Sequence, residues 1–159
     1  MKWGVLIRLQ VTLLAIACAF MASGCWPAHP PSAYRPIHQF AMNGDLPGVT
    51  AELAKAPDEV NLPEDGGLTP LHLASQYCHT NVVAFLLDNG AKINIQATDK
   101  ATPLHLAAQE GCTDVVTLLL AHSAKINVKD DQGRTPLKRA EQWHQDAVAA
   151  LLQAHGGTE

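Results

Sequence analysis

The chain has 159 residues, enough for one domain with its own core. Aromatic residues make up 5% and charged residues 16%, a composition that suits packed helices with small and aliphatic side chains. The formal net charge is -4, and residues 26–159 hold 9 basic against 15 acidic groups, which argues against nucleic acid as the main ligand.

Residues 1–24 are predicted to be an export signal. Lys2 and Arg8 give a positive start, and residues 9–21 form an apolar core too short for a membrane span. The end, Met21-Ala22-Ser23-Gly24-Cys25, resembles the lipobox of bacterial lipoproteins, in which cleavage before the cysteine leaves it carrying acyl chains such as palmitate. This resemblance implies lipidation at Cys25. Secretion without lipid and an uncleaved anchor are the alternatives, and Cys18 is a weaker lipidation candidate.

The resemblance to lipoproteins also implies a location in the bacterial cell envelope. Trp26 follows the cysteine, and by the sorting rule of such lipoproteins the lack of aspartate there favours the outer membrane, with the protein facing the periplasm. Residues 25–35 contain three prolines without apolar periodicity, which predicts a semi-extended tether. We therefore expect membrane attachment through the lipid anchor.

A repeat organises the rest of the chain. The residues Thr69-Pro70-Leu71-His72-Leu73-Ala74 return at 102–107 and, altered, at 135–140, both at intervals of 33 residues, which is typical of a repeat array. Ile37-His38 aligns with Leu71-His72 at an interval of 34, with the extra residue in the loop 55–59. The pattern resembles the ankyrin-repeat family, whose core is T-P-L-H-x-A. The resemblance implies an all-α solenoid of helix-turn-helix units joined by β-hairpin-like loops, with repeats at about 36–68, 69–101, 102–134 and 135–158.

Residues at the ends of the predicted helices have recognisable roles. Thr69 suits a helix cap, and Pro70 the first helical position, where a missing N–H costs nothing. Gly90 suits the left-handed residue that ends the second helix, and Ser123 in its place in the next repeat predicts strain or a different cap.

The two end repeats depart from the pattern. Pro47 and Gly48 near the start of a second helix are expected to weaken it, as in an end unit with one neighbour. Lys138 and Arg139 replace the recurring histidine and leucine, which predicts a terminal unit whose outer face meets water.

Motifs for catalysis are absent from the sequence. There is no nucleophile elbow, phosphate loop or HExxH-type zinc motif, and Asp130 and Asp131 beside Gly133 suit ordinary turn chemistry. His72 and His105 could suggest metal binding, but the ankyrin resemblance makes them structural residues that hydrogen-bond the adjacent backbone. The sequence therefore predicts no enzyme, no cofactor and no metal site.

Two cysteines would remain after export. Cys78 and Cys112 occupy neighbouring, offset positions in adjacent repeats, so the sequence leaves open a disulfide, two buried or half-buried thiols, or a metal or haem site that includes His79.

The ankyrin resemblance also implies where a protein partner binds: a concave groove lined by hairpin tips and by the exposed ends of the first helices. The exposed helix residues are predicted to be Met42, Asn43, Gln76, Tyr77, Gln109, Glu110, Gln142 and Trp143. The predicted tip residues are Asp65, Gly66, Leu68, Asp99, Lys100, Ala101, Gln132 and Arg134. Tyr77 and Trp143 are the leading contacts because aromatic side chains dominate binding hot spots, although Trp143 could instead cover the last repeat's core.

These features favour a monomeric, non-catalytic protein-binding module without nucleic-acid partners. The leading hypothesis is an inhibitor or immunity protein that neutralises a toxic envelope-targeting enzyme, such as a phospholipase effector. The alternative is an accessory or scaffold protein for a periplasmic oxidative-stress enzyme such as a catalase. A third hypothesis, an enzyme or cofactor carrier using Cys78, His79 and Cys112, predicts bound metal or haem.

Overall fold

A computed structural model describes residues 36–159. The predicted signal peptide 1–24, the lipidation site Cys25 and the tether 25–35 lie outside these residues. Residues 36–159 contain helices and no β-strand, so the predicted all-helical class is confirmed for this part of the chain. The helices are α1 (Pro36–Asn43), α2 (Leu46–Lys55), α3 (Pro70–Gln76), α4 (Thr80–Asp88), α5 (Pro103–Glu110), α6 (Thr113–Ala121), α7 (Pro136–Gln142) and α8 (Asp146–Ala154). Short 3-10 turns at Pro57–Asn61 and Asp65–Gly67 follow α2.

The helices stack in two parallel series. The first helices of successive repeats contact one another in the order α1, α3, α5 and α7, and the second helices in the order α2, α4, α6 and α8. One position of each first helix is buried in every repeat, occupied by Ile37, Leu71, Leu104 and Leu137. The core is therefore continuous from repeat to repeat, as a stack requires.

A buried histidine joins each of the first three repeats to the hairpin that follows. His72 accepts a hydrogen bond from the Thr69 backbone N–H at Nδ1 (3.2 Å), and its Nε2 donates to the Ala101 carbonyl (3.2 Å). His38 and His105 make the same second contact, with the carbonyls of Leu62 (2.8 Å) and Arg134 (3.1 Å). In His72 and His105 one ring nitrogen accepts and the other donates, so these two residues require a neutral imidazole.

The neutral state of His72 predicts loss of stability in acid. Burial lowers its pKa to about 4, against 6.5 for an unburied histidine, although the bond to the Ala101 carbonyl acts in the opposite direction. The unfolded chain therefore binds more protons between these two pH values, so stability falls as pH drops from about 6.5 to about 4, by about 3 kcal/mol for His72 alone.

Urea unfolding of wild type and His72→Gln between pH 7.5 and 4.5 tests this dependence. We expect a shallower pH dependence in the variant, whereas His122→Gln, at an exposed site, should follow the wild type. Burial lowers the pKa of His105 as well, so part of the acid sensitivity should persist. Parallel pH profiles for wild type and His72→Gln would contradict the assignment.

The structure does not show the expected weakness of α2. This helix has 10 residues, and Pro47 lies in its first turn, where no N–H is needed. The Asp45 carboxylate accepts a hydrogen bond from the Gly48 N–H (3.0 Å), and a Cβ at Gly48 would clash with the Phe40 ring. Gly48 therefore allows α1 and α2 to pack closely.

The expected irregularity at Ser123 is present. Ser123 has φ 65°, in the left-handed region, at the position where the preceding repeat has Gly90 with φ 88°. A residue with a Cβ is strained there by about 1 kcal/mol or more. Separately, no helix within residues 36–159 is long and apolar enough to cross a membrane.

Candidate partner-binding groove

The loops before the first helices form a row of linked hairpins. Each hairpin closes on itself, as in the bond from the Ala97 N–H to the Ala101 carbonyl (2.9 Å). Neighbouring hairpins are joined by the Thr98 N–H to the Gly66 carbonyl (2.9 Å) and by the Asp131 N–H to the Asp99 carbonyl (2.8 Å). These backbone bonds hold the tips side by side above the first helices.

A surface depression, which we call the groove, lies between the hairpins and the first helices. Its lining residues are Gly66, Leu68, Gln76, Thr98, Asp99, Leu106, Gln109, Asp131 and Arg139. Five of the predicted contact residues are among them: Gly66, Leu68, Gln76, Asp99 and Gln109. The groove thus combines residues from the hairpins with residues from α3, α5 and α7.

Other predicted contacts lie around the groove without lining it. Asp65, Lys100 and Gln132 are exposed in the hairpins, and Glu110 and Gln142 are exposed at the ends of first helices. Two other predicted contacts, Arg134 and Ala101, are less exposed than these. Arg134 is half-buried and its Nε donates to the Asp130 carboxylate (2.9 Å). Ala101, expected at a tip, is fully buried, because its carbonyl accepts the His72 bond.

Arg139 is buried, so the prediction that this residue of the last repeat is exposed to solvent is wrong. Its side chain is 3% exposed, at the position that leucine occupies in the two preceding repeats. Its Nη2 contacts the carboxylates of Asp130 (2.8 Å) and Asp99 (3.1 Å), and its Nη1 lies 3.3 Å from Gln109 Oε1. These carboxylates compensate the buried guanidinium, so Arg139 forms part of the groove floor.

Asp130 is more than a turn residue. Its Oδ1 accepts from the backbone N–H groups of Gln132 and Arg134 (both 2.9 Å), as expected for a turn. Its Oδ2 accepts from Nε of both Arg134 and Arg139 (both 2.9 Å). Burial alone would raise the pKa of this carboxyl, but the Arg134 N–H and the two guanidinium groups lower it to about 2. Asp130 is therefore a carboxylate throughout the physiological range.

Two aromatic side chains are exposed at the ends of first helices. Tyr77 is 49% exposed and Trp143 is 53% exposed, and they are the large apolar side chains that remain exposed within residues 36–159. Each is the residue that ends a first helix, α3 or α7, and Glu110 holds the same position in the repeat between them. We call Tyr77, Glu110 and Trp143 the aromatic edge.

Comparison with known proteins identifies the repeats. The family model described as ankyrin repeats (3 copies) matches residues 13–97 and 94–159. The chain belongs to the ankyrin-repeat family. Ankyrin repeats generally act as non-catalytic modules that bind protein partners.

Similar proteins share short parts of the ankyrin region. The chain is 44% identical to the human ankyrin repeat domain-containing protein 39 over 62 residues, covering 39% of this chain and 33% of that protein. It is 41% identical to the human DNA-binding protein RFXANK over 61 residues, covering 38% and 24%. It is 37% identical to the palmitoyltransferase akr1 of Neurospora crassa over 65 residues, covering 41% and 9%. The chain thus aligns with a third or less of each relative.

The two cysteines within residues 36–159 are joined to each other. Cys78 and Cys112 form a disulfide with their Cα atoms 5.1 Å apart, one of the arrangements that the sequence left open. The His79 ring is engaged elsewhere, with Nε2 donating to the Met42 carbonyl (2.9 Å). Across residues 36–159, no group of three or more histidine, cysteine, aspartate or glutamate side chains is placed to hold a metal ion.

Proposed function

We propose that this chain is a lipid-anchored protein of the bacterial envelope that binds one protein partner along its groove and aromatic edge. The observation that carries the proposal is the placement of Tyr77 and Trp143. Both occupy the same position in their repeats, half-exposed, while the other large apolar side chains of residues 36–159 are covered. The lipobox resemblance at Cys25 supports attachment to the outer membrane, with the repeats in the periplasm.

The aromatic edge is suited to anchor a partner. Gln76 and Gln109, which line the groove, directly precede Tyr77 and Glu110, so one partner surface can cover both features. Tyrosine and tryptophan are the side chains most often found at binding hot spots, because they bury much apolar area at little entropic cost. Contact with the aromatic edge would supply most of the affinity, and hydrogen bonds to the polar groove residues would fix the position of the partner along the groove.

The charge of the surface favours a basic partner. Asp65, Asp131 and Glu110 are exposed, whereas Arg139 in the groove floor is paired with Asp99 and Asp130. Residues 36–159 carry 8 basic against 15 acidic groups. Complementary charge mainly raises the association rate, so binding should weaken as salt increases.

Capture from envelope extract tests the surface. We expect a mature fragment of residues 26–159 to retain a partner that Tyr77→Ala and Trp143→Ala each release, with affinity reduced about 30-fold per site, as for hot-spot residues. The matched control is Asn81→Ala with Gln153→Ala, exposed sites on the second helices of the same two repeats. Affinities are then measured by titration of the captured protein. Equal binding by the aromatic variants and the control would overturn the surface assignment.

The identity of the captured partner tests the finer proposal, that the chain neutralises a toxic envelope-targeting enzyme such as a phospholipase effector. A binding module without a catalytic motif, held at the membrane that such enzymes attack, would act by covering the enzyme's active site. Stoichiometric loss of the captured enzyme's activity supports this proposal. Capture of a catalase with its activity intact would instead favour the accessory role.

A further inference from the structure

The second helices of repeats two, three and four are each preceded by a residue whose side chain contacts the preceding repeat. At the start of α4, His79 Nε2 donates to the Met42 carbonyl (2.9 Å), and at the start of α8, Gln145 Nε2 donates to the Gln109 carbonyl (3.2 Å). Cys112 holds the same position at the start of α6. Its Sγ lies 3.7 Å from the equivalent carbonyl, that of Gln76, but is bonded to Cys78 instead.

In the preceding repeat, the residue that lies under this side chain has a left-handed backbone in all three cases. Gly44 (φ 72°) and Gly111 (φ 77°) lie under His79 and Gln145, and a Cβ on either glycine would clash with the side chain above it. Cys78 has φ 60° at this position. A covalent link between repeats two and three thus stands where the neighbouring pairs of repeats use a side-chain hydrogen bond.

The two cysteines of this link differ in exposure. Cys78 is exposed, whereas Cys112 is 4% exposed. A surface depression borders both cysteines, lined also by Thr80, Gly111, Thr113, Asp114 and Val115. Because the attacking thiolate must reach one sulfur of a disulfide and access governs which one, a thiolate from solvent meets Cys78.

The Cys112 sulfur is suited to be the leaving group when a thiolate attacks Cys78. Cys112 is the N-cap residue of α6, a helix of 9 residues, and the positive end of a helix dipole stabilises a thiolate. After protonation, the Cys112 thiol can donate to the Gln76 carbonyl, as His79 and Gln145 do to theirs. Reduction therefore replaces the covalent link by the hydrogen bond that the other repeats use.

We infer that Cys78–Cys112 is a thiol–disulfide exchange site for an external dithiol, with attack at Cys78. One thiolate of the dithiol forms a bond to Cys78 Sγ while the Cys78–Cys112 bond breaks, and Cys112 leaves as a thiolate that takes a proton from water. The second thiolate of the dithiol then displaces Cys78 Sγ. The dithiol becomes a disulfide, and its two electrons reside in two protein thiols. This site is independent of the proposed partner binding.

Trapping with glutathione and reduction with dithiothreitol test the inference on the purified, oxidised full chain in native buffer. After alkylation and peptide mass spectrometry, we expect glutathione adducts on Cys78 in at least about ten-fold excess over Cys112, from the difference in access. The rate of reduction by dithiothreitol should be proportional to its concentration. Adducts shared equally, or a reduction rate independent of dithiothreitol concentration, would show that the disulfide reacts only after unfolding and would overturn the inference.

Asp114→Asn gives a matched control for the route of attack. Asp114 lines the depression beside the disulfide and is exposed, so its carboxylate repels an anionic thiol. We expect the variant to react faster with both thiolates, and more so with glutathione, whose thiolate carries about two negative charges, than with 2-mercaptoethanol, whose thiolate carries one, so the ratio of the two rates should rise about two-fold, an effect that salt should reduce. An unchanged ratio between the two thiols would contradict approach through this depression.

Discussion

Replacing Arg139 with alanine should lower the free energy of unfolding by about 3 kcal/mol, because the change leaves a buried carboxylate without its main partner. Asp130 is fully buried at its side chain and receives both Nε and Nη2 of Arg139. Arg134 Nε still contacts Asp130 Oδ2 at 2.9 Å, which keeps the expected loss at the lower end for a broken buried ion pair. Urea unfolding at neutral pH measures the effect.

The preceding repeat provides the control for this experiment. Ala97 and Leu106 occupy the positions of Asp130 and Arg139 one repeat earlier, and both are buried. The double variant Asp130→Ala, Arg139→Leu restores that apolar pair but removes the acceptor of two backbone N–H groups. We therefore expect its stability to lie above that of Arg139→Ala, because no buried charge is left unpaired.

Two single variants complete the set. Arg139→Leu alone should be destabilised like Arg139→Ala, because either change leaves Asp130 without Arg139. Lys138→Ala, at the exposed neighbouring residue, should change stability by less than about 0.5 kcal/mol. If Arg139→Leu is as stable as the wild type, the ion pair between Asp130 and Arg139 does not stabilise the fold, and the prediction is wrong.

The repeat period made much of the fold predictable. Because Leu71 and Leu104 lie 33 residues apart in matching hexapeptides, the sequence placed both in a shared core, and both are buried. The period also placed His72 and His105 at one structural position, where each bonds the carbonyl of the next hairpin. Such contacts are predictable because each repeat repeats its neighbour's environment.

Arg139 was missed because a period assigns a position and not the chemistry found there. An arginine at a leucine position in an end repeat suggests exposure when considered alone. Its burial depends on Asp130, nine residues earlier, and on Asp99, 40 residues earlier. The sequence does hold a signal for this burial: Asp130 and Arg139, an acid and a base, both replace apolar residues of the preceding repeat.

The groove was predictable in part for the same reason. Leu68, Gln76, Asp99 and Gln109 were assigned from positions that the ankyrin family uses, and the structure places them along one depression. Leu106 was not among the predicted contacts, although it lines the groove. Ala101 was expected at a tip, but the His72 bond draws its backbone inward.

The disulfide depended on one local feature that spacing does not reveal. Adjacent repeats stack about 10 Å apart, too far for a bridge between equivalent positions. The left-handed backbone at Cys78 ends α3 abruptly and brings this residue beside the start of α6, so the Cα atoms of Cys78 and Cys112 are 5.1 Å apart. Cys112 follows Cys78 by 34 residues, one more than the repeat period, and Gln145 follows Gly111 by the same 34 residues.

Removing this link by Cys78→Ser with Cys112→Ser should lower the free energy of unfolding by about 4 kcal/mol, from the loop entropy that a bridge across 34 residues removes from the unfolded chain. The neighbouring repeats suggest a better replacement. Cys78→Gly with Cys112→Gln recreates the Gly111–Gln145 pair, relieves the left-handed residue and adds one hydrogen bond, which together should recover about 2 kcal/mol. Urea unfolding of both variants is compared with wild type, oxidised and reduced. Reduced wild type should match the serine variant, and a glycine–glutamine variant no more stable than the serine variant would refute the equivalence of the links between repeats.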